Sequence, residues 1–353
     1  MPFAAIPEQV GAKRLLAAAL ADGPANAYLL YGPPGVGKTT AARAFAAAII
    51  GDDELAQGRR SIHPDLYVLE PLGEMIRIDE IRAMRRDLHM RPFEADRRVY
   101  LVLEADRLNA DAADALLKDL EEPPAYATMV LVADELGPLP ETIRSRCQLV
   151  PFHRLTDAAV RAWLVATDPA LDEVTVTAIT RSAGGRLDRA ERLLDPAHAK
   201  AREQLVATAR SVYLDDAFDP AGAAAVVLDT MASTGKRARE REEAEVERRE
   251  LTGRDAEQRV RRAQRGAERD ELLASLEAVA AWYRDLVVVS AGAETAATHA
   301  DRLADLRADA THGVAAERAA AVVREAWRAA EEFNVNPALA LEALFVRLHR
   351  AFV

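Results

Sequence analysis

ANAYLLYGPPGVGKTTAARAFAAAII, Ala25 to Ile50, runs a short apolar strand into a glycine-rich turn and then into an alanine-rich helix. Within it, Gly32-Pro33-Pro34-Gly35-Val36-Gly37-Lys38-Thr39 fits the pattern G-x-x-x-x-G-K-[ST] at every position. Glycines at these points let backbone N–H groups turn inward around phosphate oxygens, where side chains would obstruct them. Lys38 can reach the β and γ phosphates, Thr39 can ligate magnesium, and the helix that starts there adds its positive end. We therefore expect ATP or ADP with magnesium, held by Gly32, Pro33, Pro34, Gly35, Val36, Gly37, Lys38, Thr39 and Thr40.

The surroundings continue the alternation. DLYVLEP, RRVYLVLEA and ATMVLVAD are further brief apolar runs bounded by polar or turn residues. LNADAADALLKDLEEPP lies between the last two. Asn109 can cap that helix, Ala113, Leu116, Leu117 and Leu120 share a face, and Pro123–Pro124 end it. Strands alternating with helices predict an α/β domain with a parallel sheet covered on both faces, over residues 1–152. Beyond Phe152 the strand signals stop. TDAAVRAWLVAT, DEVTVTAITRSAG and GRLDRAERLLD predict a small helical lid over 153–200, turning at Gly184–Gly185. Residues 201–353 predict an all-α domain. Its apolar stripes are Leu272, Leu276, Val279, Tyr283 and Leu286, then Leu341, Leu344, Phe345 and Leu348 on a helix with Asn336 as cap and Pro337 at its first position. Within it, 235–271 interleaves charges of both signs with no hydrophobic face, and Glu245–Arg249 and Glu257–Arg261 stand at helical pairing distance. That reads as a solvated helix or a mobile insertion.

At 353 residues the chain suits two or three domains, and its net charge of −11 argues against coating DNA alone. One cysteine, Cys147, excludes an internal disulfide framework and a cysteine-based zinc site; with no histidine partner it reads as a packed residue rather than a nucleophile. His63-Pro64-Asp65 reads as a turn entering a strand rather than a metal ligand set. No apolar run is long enough for a membrane span, and MPFAAIPEQV carries no export signal, so the reading places the chain in the cytoplasm.

Hydrolysis needs more than a grip on phosphate: a metal-holding carboxylate, a base for water and positive charge on the γ-phosphate. In VYLVLEADRL, Val99 to Leu108, the metal position falls on Leu103 and the water-orienting position on Glu104, the catalytic candidate within the domain; a one-residue shift of register or Asp106 remains open. Arg146, in IRSRCQ after the strand ATMVLVAD, falls at the sheet edge away from its own loop, where a guanidinium can act across a subunit interface.

NAYLLYGPPGVGKTT, HPD, ADRLNADAADALLKDLEEPP and LPETIRSRCQ together resemble the clamp-loader branch of the AAA+ ATPases, closely over the first 155 residues and more loosely over the lid. AAWYRDL and NVNPALALEAL are similar to the delta-prime type of bacterial DNA polymerase III subunit, with gamma/tau the sister type. The resemblance implies an AAA+ P-loop domain, a helical lid and a collar in a five-subunit ring. It implies that Arg146 is an arginine finger acting in trans, and that gamma/tau, delta, the sliding clamp and, through the complex, primer–template DNA are the partners. The chain would then be a non-membrane subunit of a DNA-directed polymerase holoenzyme, with weak or absent ATPase of its own. Departures from the family are a zinc module missing from Gly51–Ile62, Leu103 at the metal motif, Ala133-Asp134 where a motor senses the γ-phosphate, and Asp188 for the lid arginine, flanked by Arg186 and Arg189. An active gamma/tau-type motor and a DNA-remodelling helicase motor are the alternatives.

Overall fold

A computed structural model describes residues 2–56, 63–71, 75–248, 253–333 and 335–353. The chain divides into two compact units, residues 1–167 with 183–188, and residues 168–182 with 189–353.

The first unit is built on a parallel sheet. Among the described residues its strands are β1 (Ala27–Tyr31), β2 (Leu66–Leu69), β3 (Arg98–Val102), β4 (Ala127–Ala133) and β5 (Gln148–Pro151), in the order β2-β3-β4-β1-β5. β3 and β4 are buried throughout, and the near-continuous apolar runs of such central strands follow from helices covering both faces. Alternate residues go to opposite sides. Leu29, Tyr100, Val102, Met129 and Leu131 pack with helices Ile78–Leu88 and Ala110–Glu121. Tyr28, Leu30, Val99, Leu101, Leu103, Val130 and Val132 pack with helices Val10–Asp22 and Lys38–Ile50. Asn109 caps the Ala110–Glu121 helix as expected, its Oδ1 accepting from the Ala112 N–H at 2.9 Å. The α/β parallel-sheet expectation holds, with the helical C-terminal region after it.

Among the elements the sequence reading did not name are helix Val10–Asp22, an edge strand and the helix Ile78–Leu88. β5 is an edge strand of four residues with only Val150 buried, so it has too little apolar signal to stand out. Helix Ile78–Leu88 buries only Ile81, Met84 and Leu88, and charged residues occupy most of the remainder.

His63-Pro64-Asp65 does more than turn the chain. The His63 Nδ1 accepts from the Asp65 N–H at 3.0 Å. Asp65 is fully buried and accepts backbone N–H bonds from Phe93 at 2.7 Å, Glu94 at 2.8 Å and Ala95 at 2.9 Å. Burial by itself would raise its pKa. The N–H bonds from Ala95, Glu94 and Phe93 and the nearby Arg98 charge outweigh that, holding the carboxyl below its ordinary value.

The second unit is helical. Trp282, Tyr283, Leu286, Leu344, Phe345 and Leu348 are at its core, and both apolar stripes expected from the sequence are buried there. Asn336 Oδ1 accepts from the Ala338 N–H at 3.0 Å at the start of helix Pro337–Phe352. Asn336→Ala is expected to cost about 1 kcal/mol, read as a lower midpoint in urea unfolding.

Residues 235–248 complete helix Pro220–Arg248, and 254–271 begin helix Arg254–Ser290. These two helices pack on each other through polar ties that one-dimensional hydrophobic patterning cannot show. Gly235 is buried where a Cβ would meet the Glu268 side chain; Arg259 pairs with Glu242; and Glu271, 3 % exposed, accepts from Thr234 at 3.0 Å and Arg192 at 2.5 Å. Glu257 and Arg261 approach to 3.8 Å, whereas Glu245 pairs with Arg248 at 2.7 Å; Arg249, its expected partner, lies outside the described residues. Among the described residues, no helix is long and apolar enough to cross a membrane.

Candidate functional site

The glycine turn sits between β1 and the helix that begins at Lys38. Gly32, Gly35 and Gly37 have φ of 138°, 69° and 95°, a region that side-chain-bearing residues rarely adopt. A Cβ on Gly32 would also strike the Phe152 carbonyl oxygen. Val36 is buried beneath the turn, while Thr39 and Thr40 are exposed at the start of the helix. Pro33 and Pro34 complete the turn with partial exposure. These backbone angles are ones that a phosphate-cradling glycine turn can use.

Lys38 is 4 % exposed, and its ammonium is fully engaged. Nζ donates to the Gly32 carbonyl at 2.5 Å and the Pro33 carbonyl at 2.6 Å, and pairs with Asp134 Oδ1 at 2.7 Å. The sheet creates this pairing. Tyr31 of β1 lies opposite Ala133 of β4, so Gly32 and Asp134 leave adjacent parallel strands together. The Asp134 N–H in turn donates to Asp106 Oδ1 at 3.2 Å. Burial raises the Asp106 pKa, N–H bonds from residues 106 and 134 oppose that, and the Asp134 charge adds to it. Asp134 stands at the position where a motor senses the γ-phosphate; here its partner is the loop lysine itself.

The other expected hydrolytic positions are dispersed. Leu103 is 5 % exposed and packs into the apolar layer with Val99 and Leu101. Glu104 follows with φ of 51°, and its carboxylate pairs with Arg107 at 2.9 Å. Asp188 lies against the loop, where a Cβ on Gly35 would run into its carboxylate. Arg186 holds that carboxylate through Nε at 3.1 Å and a terminal nitrogen at 2.6 Å, and the Leu187 N–H donates to the Gly35 carbonyl at 2.7 Å. Arg189 instead pairs with Glu277 at 2.5 Å. The glycine cradle suits a phosphate chain, but a magnesium site is poorly furnished. Leucine donates no ligand, and Asp134 is committed to Lys38. Among the described residues, no group of three or more His, Cys, Asp or Glu is gathered as a metal site.

Arg146 follows the short helix Glu141–Arg144 and precedes the edge strand β5. It lies on its own unit's surface, 34 % exposed, donating to the Thr142 carbonyl at 2.9 Å and to Glu121 at 2.5 Å. Burial pushes the neighbouring Cys147 thiol up to about 12, which leaves almost no thiolate at neutral pH and fits a packed residue.

Residues 9–156 match the family model described as DNA polymerase III, delta subunit. The chain is 33% identical to DNA polymerase III subunit delta' of Bacillus subtilis over 153 residues, 40% of this chain and 46% of that protein. It is 32% identical to the Pseudomonas aeruginosa subunit of the same name over 195 residues, 52% of this chain and 60% of that one. DNA polymerase III subunit tau of Bacillus subtilis is 33% identical over 190 residues, 49% of this chain and 33% of that protein. The chain spans about half the length of the delta' relatives it matches. The resemblance to delta-prime subunits of DNA polymerase III, with gamma/tau as relatives, is thus found by direct comparison as well.

Proposed function

We propose that this chain, a relative of the clamp-loader subunits of DNA polymerase III, works as a delta-prime-type subunit: it holds a nucleotide without turning it over efficiently and lends Arg146 to a neighbour's site. The observation that carries the reading is the commitment of Lys38 to Asp134 at 2.7 Å, which removes the loop's ammonium from γ-phosphate chemistry. Leu103 cannot hold a metal ion, and Glu104 is tied to Arg107 rather than oriented by a strand. Arg146, in contrast, is exposed, and its contacts with Glu121 and the Thr142 carbonyl lie at the surface. In an assembly with gamma/tau and delta, its guanidinium would meet the γ-phosphate bound by the adjacent subunit. The ring would then place the sliding clamp on primed DNA during cytoplasmic replication, with the DNA contacted through the complex.

Two measurements test this. The isolated chain is expected to hydrolyse ATP at no more than a small fraction of the rate of a reconstituted clamp-loader assembly, and Arg146→Ala is expected to remove most of the assembly's turnover. Brisk hydrolysis by the isolated chain, abolished by Lys38→Ala, would instead make it a gamma/tau-type motor.

A further inference from the structure

A lysine ammonium has three N–H donors. In Lys38 two go to the carbonyls of Gly32 and Pro33, and the third goes to Asp134. In a triphosphate site the free donor belongs to the β and γ phosphates. Here it is already matched by the Asp134 carboxylate at 2.7 Å; the Lys38 side chain is 4 % exposed and that of Asp134 41 %. Strand register brings residues 32 and 134 together, and the Asp134 N–H is anchored on Asp106.

A γ-phosphate approaching Lys38 would meet the charge of Asp134. A second carboxylate, Asp188, lies against Gly35 of the same loop and is held by Arg186. The cation that ordinarily neutralises such crowding has no carboxylate at position 103. The α and β phosphates have the backbone N–H groups of the glycine turn and the helix start to receive them, which offsets the loss of the Lys38 donor at the β phosphate, whereas the γ phosphate depends on the lysine and the cation.

We propose that Asp134 is a specificity-determining residue that makes this loop a nucleoside diphosphate site, closed to triphosphates and independent of magnesium. The proposal rests on the nucleotide-holding part of the reading above and names the ligand class.

Calorimetric titration of the full chain with ADP and with ATPγS, each in magnesium and in EDTA, tests it. ADP is expected to bind at least about tenfold more tightly than ATPγS, the direction set by like-charge repulsion near the third phosphate. Chelation is expected to change ADP affinity by less than about twofold. Asp134→Asn keeps an oxygen to accept from Lys38 while removing the charge, so the ratio should fall toward about one, mainly through tighter ATPγS binding. Thermal melting reports whether that variant is folded, and Asp134→Thr is the second variant if it is not. Equal or tighter binding of ATPγS by the unmodified chain overturns the proposal and leaves the nucleotide-holding reading standing. An unchanged ratio in a folded variant, or magnesium-dependent ADP binding, also overturns it. Binding of neither nucleotide at millimolar concentration overturns both.

Discussion

Arg146→Ala is expected to lower ATP turnover of a reconstituted clamp-loader assembly by about 10³-fold or more at the site this chain would face, the range spanned by arginine fingers in phosphoryl transfer. The magnitude comes from placing fixed positive charge against charge that develops only in the transition state. The side chain is suitably poised. It rests on Glu121 and the Thr142 carbonyl at the surface, and an exposed pair of this kind contributes only about 0–1 kcal/mol, so releasing it toward a neighbour costs little. For the same reason the variant should unfold at nearly the same denaturant concentration as the parent. Arg146→Lys should restore little activity, because a single ammonium lacks the planar paired donors of guanidinium. Turnover in the assembly that is indifferent to Arg146→Ala would remove the role.

The largest effect on stability is expected at Asp65. Asp65→Ala leaves the N–H groups of Phe93, Glu94 and Ala95 without their acceptor and strips one carboxylate from buried Arg98. Arg98 keeps Asp87 at 2.8 Å, so the loss should be about 3–5 kcal/mol rather than more. Asp65→Asn should recover only part, since its amide nitrogen would face donors. The pH dependence has a definite sign. The folded carboxyl lies below its ordinary value, so it contributes stability that is present above the unfolded pKa, about 4, and is lost as pH falls through the folded one. Urea unfolding of the parent should therefore weaken on acidification below about pH 4, and the difference between parent and Asp65→Asn should shrink there.

Much of the architecture was legible in the sequence because the signals were local. The glycine turn, the apolar runs of β1, β3 and β4, and the Asn109 and Asn336 caps each declare themselves within a few residues. The parts that stayed hidden depend on partners distant in the chain. Nothing near Asp134 announces Lys38; their meeting depends on how β1 pairs with β4. Asp65 looked like one residue of a turn because its three donors come from residues 93–95. The charged segment 235–271 had no apolar stripe, and its helices are linked instead by buried Glu271, the Arg259–Glu242 pair and the close approach at Gly235.

Cys147 also has a practical consequence. It is the chain's sole sulfhydryl, and because burial raises its pKa it is expected to react slowly with thiol-directed reagents at neutral pH. The unaltered polypeptide is thus close to a silent background for fluorophore attachment. A cysteine introduced on the exposed face of the helix that follows the loop, as in Arg43→Cys, should take up maleimide dye selectively and report nucleotide arrival by fluorescence.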